Sequence, residues 1–459
     1  MVTASACSAF VRPRVSEADE AETAGWNVAR WTVTRLRNDR RRAPSVSSRS
    51  GPAQRKEPNP GMQRHTRVVT RTWHARIYAT LIVSVGVVAG TVGGVPPLAA
   101  ATRGWSVTET PHPATSLPSE LSGVSCPSPT SCFAVGDDNG GGTTDTLIEH
   151  WNGTSWKVMA SPDPTRSDYA NLAGVSCPSP TSCFAVGASE GPSSYALVEH
   201  WDGNSWSIMP SPNLKTNDDS WLLGVSCPTT SSCFAVGFFG DGSLIEHWNG
   251  SRWSKTTGRP RPGGNDELIG VSCPSPTSCF AVGDAFSPDL FVLRTVVEHW
   301  NGSRWSVVAG APSPTAFDEL QAVSCPGTTS CFAVGNASTG ASTTAPSRSH
   351  TLIEHWNGHR WSIMTYTGMQ KDDSLIGASC PTAKSCFAVG VSVLHSTART
   401  LVEYWNGHGG WSIMHSPDPS NPSLRGISCP STTHCVAVGS AWGLRNTSHG
   451  QRAFAEQYG

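Results

Sequence analysis

A block of about fifty residues is repeated seven times along this chain, and the repeat constrains the fold more than any other feature. Verbatim or looser copies of the segment GVSCPSPTSCFAVG occupy 123–136, 174–187, 224–237, 270–283, 322–335, 377–390 and 426–439. Each copy except the last is followed by a second block such as LIEHWNGTSWKVM at 147–159. The first cysteines of successive copies lie 46 to 55 residues apart, a period that is typical of propellers and solenoids.

Each repeat is predicted to form four short antiparallel strands, LSGVSC, SCFAVG, LIEHW and WKVM in the first copy. A Pro-containing turn separates the first two strands, and Asn-Gly between apolar runs predicts a hairpin before the fourth. The last unit stops at 453–459 without a fourth strand, whereas Gly104-Trp105-Ser106-Val107 supplies one near the other end. We therefore expect an all-β protein, a seven-bladed β-propeller of four-stranded antiparallel blades over 102–459. In this prediction, the N-terminal strand of the mature chain completes the last blade and closes the ring.

The order of an apolar strand, a strand that ends in Gly and the pattern W-N-G-x-x-W resembles the kelch repeat of kelch and galactose-oxidase-type propellers. The resemblance covers 103–459 and implies the propeller fold, but it transfers no active site. Two features depart from the kelch pattern: a single Gly, as in Gly136-Asp137, stands where kelch repeats have Gly-Gly, and each unit carries a Cys pair. The turn is also faintly similar to the Asp-box of sialidase propellers, with Trp151 in the place of the Asp.

The cysteines form one C-x5-C pair per repeat, and only Cys7 lies outside this pattern. Each pair flanks the turn between the first two strands, where two Cα atoms come within disulfide reach. Zinc is the alternative, but it needs four ligands, and neighbouring pairs belong to different blades. The predicted disulfides are Cys126–Cys132, Cys177–Cys183, Cys227–Cys233, Cys273–Cys279, Cys325–Cys331, Cys380–Cys386 and Cys429–Cys435.

The first hundred residues have the layout of a leader. An apolar stretch at 77–95 follows a basic segment and precedes small residues at 99–101, which predicts a signal peptide at 62–101. If it stayed uncleaved, this stretch would be long enough to anchor the chain in a membrane. Residues 1–61 are rich in Arg, Ser and Pro without periodicity, as in a disordered basic leader or a start-site artefact. Together with the disulfides, the leader predicts a secreted, extracellular or cell-surface protein.

The charge distribution argues against nucleic acid as a partner. Residues 1–101 carry 15 Lys and Arg against 6 Asp and Glu, whereas the remaining residues carry 18 against 28. An acidic body offers phosphates no basic surface.

The tripeptide Glu-His-Trp recurs on the third strand in five repeats, beginning with Glu149-His150-Trp151. A functional interpretation would make these residues acid/base groups or metal ligands. Because identical copies around a ring do not converge on one point, we interpret them as packing between blades. Function is expected where the repeats differ, on the face that holds the connections between strands two and three and between blades.

Two sets of residues mark this face. Aromatic residues in blades two to four predict a ligand platform: Tyr169, Tyr195, Trp221, Phe238, Phe239, Phe286 and Phe291. Acidic residues before the first strands predict either a solvated rim or, alternatively, Ca²⁺ ligands at the channel mouth: Asp219, Asp266, Glu267, Asp318 and Glu319. No other cofactor is expected.

Three functions fit the sequence. The first is a non-catalytic binding module for an extracellular protein or a polysaccharide. The second is a propeller-face enzyme, such as a lyase or glycosidase, and the third is a structural envelope protein. A catalytic screen on polysaccharides separates the second, and localisation with a pull-down separates the other two.

Overall fold

The computed structural model describes residues 103–111, 118–139, 143–162, 164, 169–190, 194–212, 219–240, 242–256, 265–287, 290–312, 315–338, 349–364, 366–367, 372–394, 396–442 and 450–459. Within these ranges every regular element is a β-strand, and no helix is long and apolar enough to cross a membrane. The predicted leader, with its segments 1–61 and 62–101, lies outside the described residues.

Antiparallel units of four strands, which we call blades 1 to 7, follow one another along the chain, and one parallel pairing, Leu293 with Phe317, joins blades 4 and 5 into a single sheet. Blade 1 consists of β2 (Ser119–Ser128), β3 (Ser131–Asp138), β4 (Asp145–Trp151) and β5 (Trp156–Met159). Blade 2 consists of β6 (Tyr169–Ser179), β7 (Ser182–Glu190), β8 (Ser194–Trp201) and β9 (Trp206–Ile208). Blade 3 consists of β10 (Ser220–Thr229), β11 (Ser232–Phe239), β12 (Gly242–Trp248) and β13 (Trp253–Thr256).

The next blades repeat this order. Blade 4 consists of β14 (Asn265–Ser275), β15 (Ser278–Ser287), β16 (Val292–Trp300) and β17 (Trp305–Val307). Blade 5 consists of β18 (Phe317–Gly327), β19 (Ser330–Ser338), β20 (Ser349–Trp356) and β21 (Trp361–Ile363). Blade 6 consists of β23 (Asp373–Thr382), β24 (Ser385–Leu394), β25 (Thr397–Trp405) and β26 (Trp411–Ile413), and the short β22 (Tyr366–Thr367) pairs in parallel with β26.

Blade 7 draws its strands from both ends of the described chain. It consists of β27 (Ser423–Ser431), β28 (His434–Trp442), β29 (Gln451–Tyr458) and β1 (Trp105–Thr108). Strand β1 pairs antiparallel with β29, with Trp105 opposite Tyr458 and Val107 opposite Glu456. The repeated four-stranded sheets confirm the predicted all-β propeller architecture.

A β-bulge in the first strand of every blade explains the Gly that ends the second strand. In blade 1, the register between β2 and β3 shifts between Leu121 and Gly123, and the other blades show the same shift. The shift brings the carbonyl oxygen of Glu120 so close to Gly136 that a Cβ there would lie 2.0 Å from it. The Gly at the end of the second strand, Gly136 in blade 1, is therefore required by the bulge in the strand that faces it.

The first strands line a central channel of about 160 Å³. They approach one another so closely that a Cβ on Gly123 would lie 3.1 Å from the Cα of Gly174 in the next blade. On the other side of blade 1, a Cβ on Gly426 would lie 3.0 Å from the Cα of Gly123. Crowding at the axis thus accounts for the Gly repeated in the first strand.

A set of hydrogen bonds links the first strands of neighbouring blades. The backbone N–H of the first Cys in each blade donates to the Oγ of the Ser that precedes the first Cys in the neighbouring blade, at 2.9–3.0 Å. The seven donor–acceptor pairs are Cys126–Ser428, Cys177–Ser125, Cys227–Ser176, Cys273–Ser226, Cys325–Ser272, Cys380–Ser324 and Cys429–Ser379. Each bond satisfies a donor that the bulged sheet leaves unpaired.

Aromatic side chains fill the space between blades. The ring of Phe133 lies 4.5 Å from that of His150 in its own blade, and 5.8 and 5.9 Å from Trp201 and Trp206 in blade 2. Phe184, in blade 2, makes the same contacts with blade 3. Because each Phe is shared between two blades, the repeat stabilises its neighbour as well as itself.

The cysteine pairs form the predicted disulfides, all seven with a sequence separation of 6 and a Cα–Cα distance of 4.0–4.1 Å. Each closes the hairpin between the first and second strands of its blade. Cys7 lies outside the described residues.

Candidate binding face

The antiparallel strands give the propeller two faces of different character. The repeat face holds the disulfide hairpins and the turns between the third and fourth strands. Its turns are built alike: the Oδ1 of Asn152 accepts the N–H groups of Thr154 and Ser155 at 3.0 Å, and the corresponding Asp or Asn does so in blades 2 to 5. The variable face holds the connections between the second and third strands and those between blades.

One layer of residues at the variable end of the channel varies among the blades, with the same pair only in blades 1 and 4, and we call it the rim layer. In the first strand of each blade, the rim-layer residue stands immediately before the Leu of the bulge, as Glu120 stands before Leu121. Its partner in the second strand stands immediately after the recurring Gly of the repeat, as Asp137 stands after Gly136. The pairs are Glu120–Asp137, Asn171–Ala188, Trp221–Phe238, Glu267–Asp284, Glu319–Asn336, Ser374–Val391 and Ser423–Ser440. The layer directly below is Leu opposite Gly in every blade, so the differences begin at the rim.

Three of the predicted platform residues come together between blades 2 and 3. The rings of Trp221 and Phe238 stack with centroids 6.3 Å apart, and Tyr169 lies 6.1 Å from Trp221. Trp221 is only 1% exposed and packs with Phe238 against Ala188. The sequence suggested loop residues, but Trp221 lies inside a strand, and its ring serves the packing between two blades.

Two further platform residues lie apart from this group. Tyr195 is half-buried on the third strand of blade 2, opposite Ser189. Phe239 packs against the core between blades 2 and 3, and the Nζ of Lys255 lies 3.9 Å from the centre of its ring. A cation over a ring face is a favourable contact. A ligand role for either residue stays a prediction.

A second aromatic group lies between blades 4 and 5 and is open to solvent. Phe286 and Phe317 each contact Phe291 edge-to-face, with centroid distances of 5.7 and 6.0 Å. Phe291 is 60% exposed and the neighbouring Leu290 is 74% exposed. Phe291 also has a φ of 51°, a backbone conformation that bulky residues rarely adopt. Sequence reasoning missed Phe317, which stands just before the acidic pair 318–319.

Carboxyl groups occupy the rim layer at two places. Between blades 7 and 1, an oxygen of Glu120 lies 3.2 Å from the guanidinium of Arg425 and accepts a hydrogen bond from Gln451 at 3.1 Å. Burial and the charges of Glu120 and Asp138 raise the pKa of Asp137 to about 8, against the opposing effect of Arg425. This carboxyl pair thus has a basic partner from the neighbouring blade.

The second cluster of carboxyl side chains lies between blades 4 and 5. Burial and the charge of Glu319 raise the pKa of Glu267 to about 7. Burial raises the pKa of Asp284 well above its ordinary value, and the charges of Glu267, Glu319 and Asp266 add to the effect. Here all the charges that act on Asp284 are negative.

The predicted calcium ligands have different environments. Asp219 accepts the N–H of Ser194 at 2.9 Å, and the fully buried Asp318 accepts hydrogen bonds from the backbone and hydroxyl of Thr315. Asp266 is buried and Glu267 is half-buried, and both belong, with Glu319, to the cluster of carboxyl side chains between blades 4 and 5. Across the described ranges, no group of three or more His, Cys, Asp or Glu side chains could hold a metal ion.

The Glu-His-Trp copies lie between blades. Glu149 is 0% exposed, and Leu147 and Trp151, on the same strand face, pack against blade 7. The Nε2 of His150 lies 3.1 Å from the Oγ of Ser131, and burial lowers the pKa of this histidine. In blade 2, Ser161 from the preceding blade donates a hydrogen bond to the carboxylate of Glu199 at 3.1 Å. These contacts give the Glu-His-Trp residues a packing role between blades.

No protein-family model matches the sequence, and no curated protein matches it. Among solved structures, the chain is similar to YCF48 bound to D1 peptide, with 13% identity and a TM-score of 0.47 over 78% of this chain and 96% of that chain. A GH74 xyloglucanase from Xanthomonas campestris shows 11% identity and a TM-score of 0.47 over 77% of this chain and 55% of that chain. SapL1 lectin in complex with alpha methyl fucoside shows 12% identity and a TM-score of 0.36 over 59% of this chain and 92% of that chain. These proteins are β-propellers, and none of the similarities assigns the chain to the kelch family or to another family.

Proposed function

We propose that this protein is a secreted, non-catalytic binding module that recognises an extracellular protein or a polysaccharide through its variable face. The observation that carries the proposal is the rim layer, which varies among the blades while the layer of Leu opposite Gly below it repeats in all seven. Recognition of one ligand requires groups that are arranged without sevenfold repetition, and the described residues at this end of the channel offer them. An exposed ring such as that of Phe291, in the turn between β15 and β16, offers apolar contact area to a ligand.

The repeat face is a poor candidate for recognition. Its hairpins are closed by disulfides, and its turns use the same Asn or Asp hydrogen bonds in most blades. Identical groups spaced around an axis would bind several small ligands equally rather than one partner. The repeated parts therefore support a role as scaffold.

The experiment blocks one face at a time. In a Cys7→Ser background, a single added cysteine is labelled with maleimide-polyethylene glycol, at Asn139→Cys or Leu290→Cys on the variable face. Thr130→Cys and Thr181→Cys, both exposed on the repeat face, are the matched controls. The four conjugates are tested against an array of cell-wall polysaccharides and surface proteins. We expect the variable-face conjugates to lose binding and the controls to keep it; the reverse pattern would contradict the proposal.

One observation favours a second candidate, a propeller-face lyase or glycosidase. Glu120 and Asp137 stand opposite each other on neighbouring strands, and the pKa of Asp137 is about 8. A buried carboxyl that holds its proton near neutral pH, as the raised pKa of Asp137 allows, can serve as a general acid. Turnover of a polysaccharide that disappears in Asp137→Asn and persists in Asp138→Asn would establish this function.

We also infer that the blades form a closed ring of seven. Support comes from the pairing of β1 with β29 and from the hydrogen bond of 2.9 Å between the N–H of Cys126 in blade 1 and Ser428 in blade 7. Deletion of residues 1–108 should lower the unfolding temperature relative to deletion of 1–102, which keeps β1. Equal melting of the two truncated proteins would contradict closure.

A further inference from the structure

The turns between the third and fourth strands carry a sequence motif in three blades that the proposed binding function does not use. In blades 1, 3 and 4 the turn reads Asn-Gly followed by Thr or Ser, at 152–154, 249–251 and 301–303. Asn-x-Ser/Thr is the pattern in which an Asn side chain accepts a sugar. The Asn and the hydroxyl residue are exposed in all three turns. The motif therefore stands where a modifying enzyme can reach it.

The hydroxyl of each motif donates a hydrogen bond to the Asn side chain. In blade 1, Oδ1 of Asn152 accepts the hydroxyl of Thr154 at 2.8 Å and the N–H groups of Thr154 and Ser155 at 3.0 Å. The Ser hydroxyls of the other two turns lie 2.8 Å from Oδ1 of Asn249 and Asn301. Because backbone N–H groups only donate, the atom that they contact is Oδ1. The nitrogen Nδ2 of these three Asn residues has no hydrogen-bond partner among the described residues.

This arrangement favours the transfer of a sugar to Nδ2. An amide nitrogen is a poor nucleophile, because its lone pair is shared with the carbonyl group. When Nδ2 gives up a proton to a base, the negative charge that develops is held mainly on Oδ1. Three donors aimed at Oδ1 stabilise that charge, as the donors of an oxyanion hole do. The Thr or Ser hydroxyl of the motif supplies the third donor.

We propose that Asn152, Asn249 and Asn301 are N-glycosylation sites on the repeat face. In the reaction Nδ2 forms a bond to C1 of a sugar, and the bond between C1 and a phosphate ester oxygen breaks. The proton of Nδ2 passes to a base of the transferase, and the phosphate ester leaves with the electron pair of the broken bond. The co-reactant is thus an activated sugar, a glycosyl phosphate ester. The proposal goes beyond the binding function, since these sugars lie on the face opposite to the rim layer.

Other parts of the molecule provide matched controls. The turns of blades 5 and 6, at 357–359 and 406–408, also begin with Asn-Gly, and Oδ1 accepts the N–H of the third residue at 3.0 Å. That residue is His in both turns, so no hydroxyl follows. Asn336 has the complete motif, but it lies inside β19 and its Oδ1 accepts the hydroxyl of Ser374. We expect the Asn of both turns and Asn336 to stay unmodified. A fifth motif, at 446–448, lies outside the described residues.

The test maps sugars on the full-length protein, purified from its native host, by mass spectrometry of its peptides with electron-transfer fragmentation. We expect a sugar on Asn152, Asn249 and Asn301 and none on the control residues. Thr154→Val keeps the shape of the side chain and removes the hydroxyl, so the sugar on Asn152 should be lost. Thr154→Ser keeps the hydroxyl and should keep the sugar.

A gain of modification tests the same reasoning in the opposite direction. His359→Thr completes the motif in blade 5, where the turn already has the backbone hydrogen bonds. Asn357 should therefore gain a sugar in this variant. Thermal melts of the parent and the variants confirm that each propeller folds.

Several results would overturn the proposal. They are the absence of sugar from all three motifs, sugar on the control residues of the parent, and a sugar on Asn152 that persists in Thr154→Val. Conversion of the Asn-Gly pairs to Asp-Gly without a sugar, by spontaneous deamidation, would also overturn it. The conjugates of the binding experiment are a separate readout: if the sugars are absent while only the variable-face conjugates lose binding, this proposal fails and the proposed function stands. If the sugars are present while the repeat-face conjugates lose binding, the proposed function fails instead.

Discussion

The buried Glu149 should make the stability of the propeller depend on pH. Its carboxyl is 0% exposed, neither oxygen has a hydrogen-bond partner among the described residues, and burial raises its pKa from 4.5 to about 8. The folded state therefore holds the proton more tightly than the unfolded state. The stabilisation is complete below pH about 4.5 and is lost as the pH rises to about 8.

The raised pKa gives the magnitude of this effect. Each tenfold gain in proton affinity is worth about 1.4 kcal/mol, so the proton on Glu149 corresponds to on the order of 4–5 kcal/mol between the two limits. Glu149→Gln keeps the size of the side chain and removes its titration. We expect the difference in unfolding free energy between pH 5 and pH 8 to shrink by several kcal/mol in this variant.

Urea unfolding at both pH values, followed by tryptophan fluorescence, provides the measurement. The opposing control is Ser416→Ala: Ser416 donates a hydrogen bond to the carboxylate of Glu456, which lowers the pKa of that group against the effect of burial. Removing this bond should raise the pKa of Glu456 and increase the pH dependence. An unchanged pH dependence in Glu149→Gln would refute the reasoning, because it would show that the carboxyl titrates alike in the folded and unfolded states.

Three further outcomes follow from the fold. Gly136→Ala should cost several kcal/mol or prevent folding, because its Cβ would lie 2.0 Å from the carbonyl oxygen of Glu120, whereas Gly242→Ala, with open space around it, should unfold like the parent in urea. Ser125→Ala should lower the unfolding free energy by about 1 kcal/mol at 25 °C, since the N–H of Cys177 loses its partner; a neutral result would make the bonds between first strands energetically irrelevant. Non-reducing peptide mapping should recover seven disulfides, each within one blade, and removing one pair by serine substitution should cost about 2 kcal/mol. Bridges between blades, or free thiols in the propeller, would contradict this pairing.

The repeat made the strands and the disulfides predictable, because each is encoded in seven copies. The Ser before each first Cys recurs just as faithfully, yet its role could not be seen in a single unit, since its Oγ accepts a hydrogen bond from another blade. The sequence likewise showed that Gly136 recurs but not why, because the reason is a bulge in the paired strand.

The binding face was harder to predict than the scaffold. Strands β6 and β10 begin several residues before the repeated motif, so Tyr169 and Trp221 are strand residues rather than loop residues. The burial of Trp221 follows from that extension. Phe317 contacts Phe291 across two blades, a pairing that no local pattern encodes. Differences between repeats identified the region where the blades diverge, and contacts between blades decided which side chains remain exposed there.

Hydrogen–deuterium exchange of the protein, with and without a ligand found on the array of polysaccharides and surface proteins, shows which face of the propeller the ligand covers. We expect the ligand to slow exchange in the rim layer and in the connections between second and third strands, and to leave exchange in the disulfide hairpins unchanged. Protection confined to the disulfide hairpins and the turns between third and fourth strands would contradict this expectation.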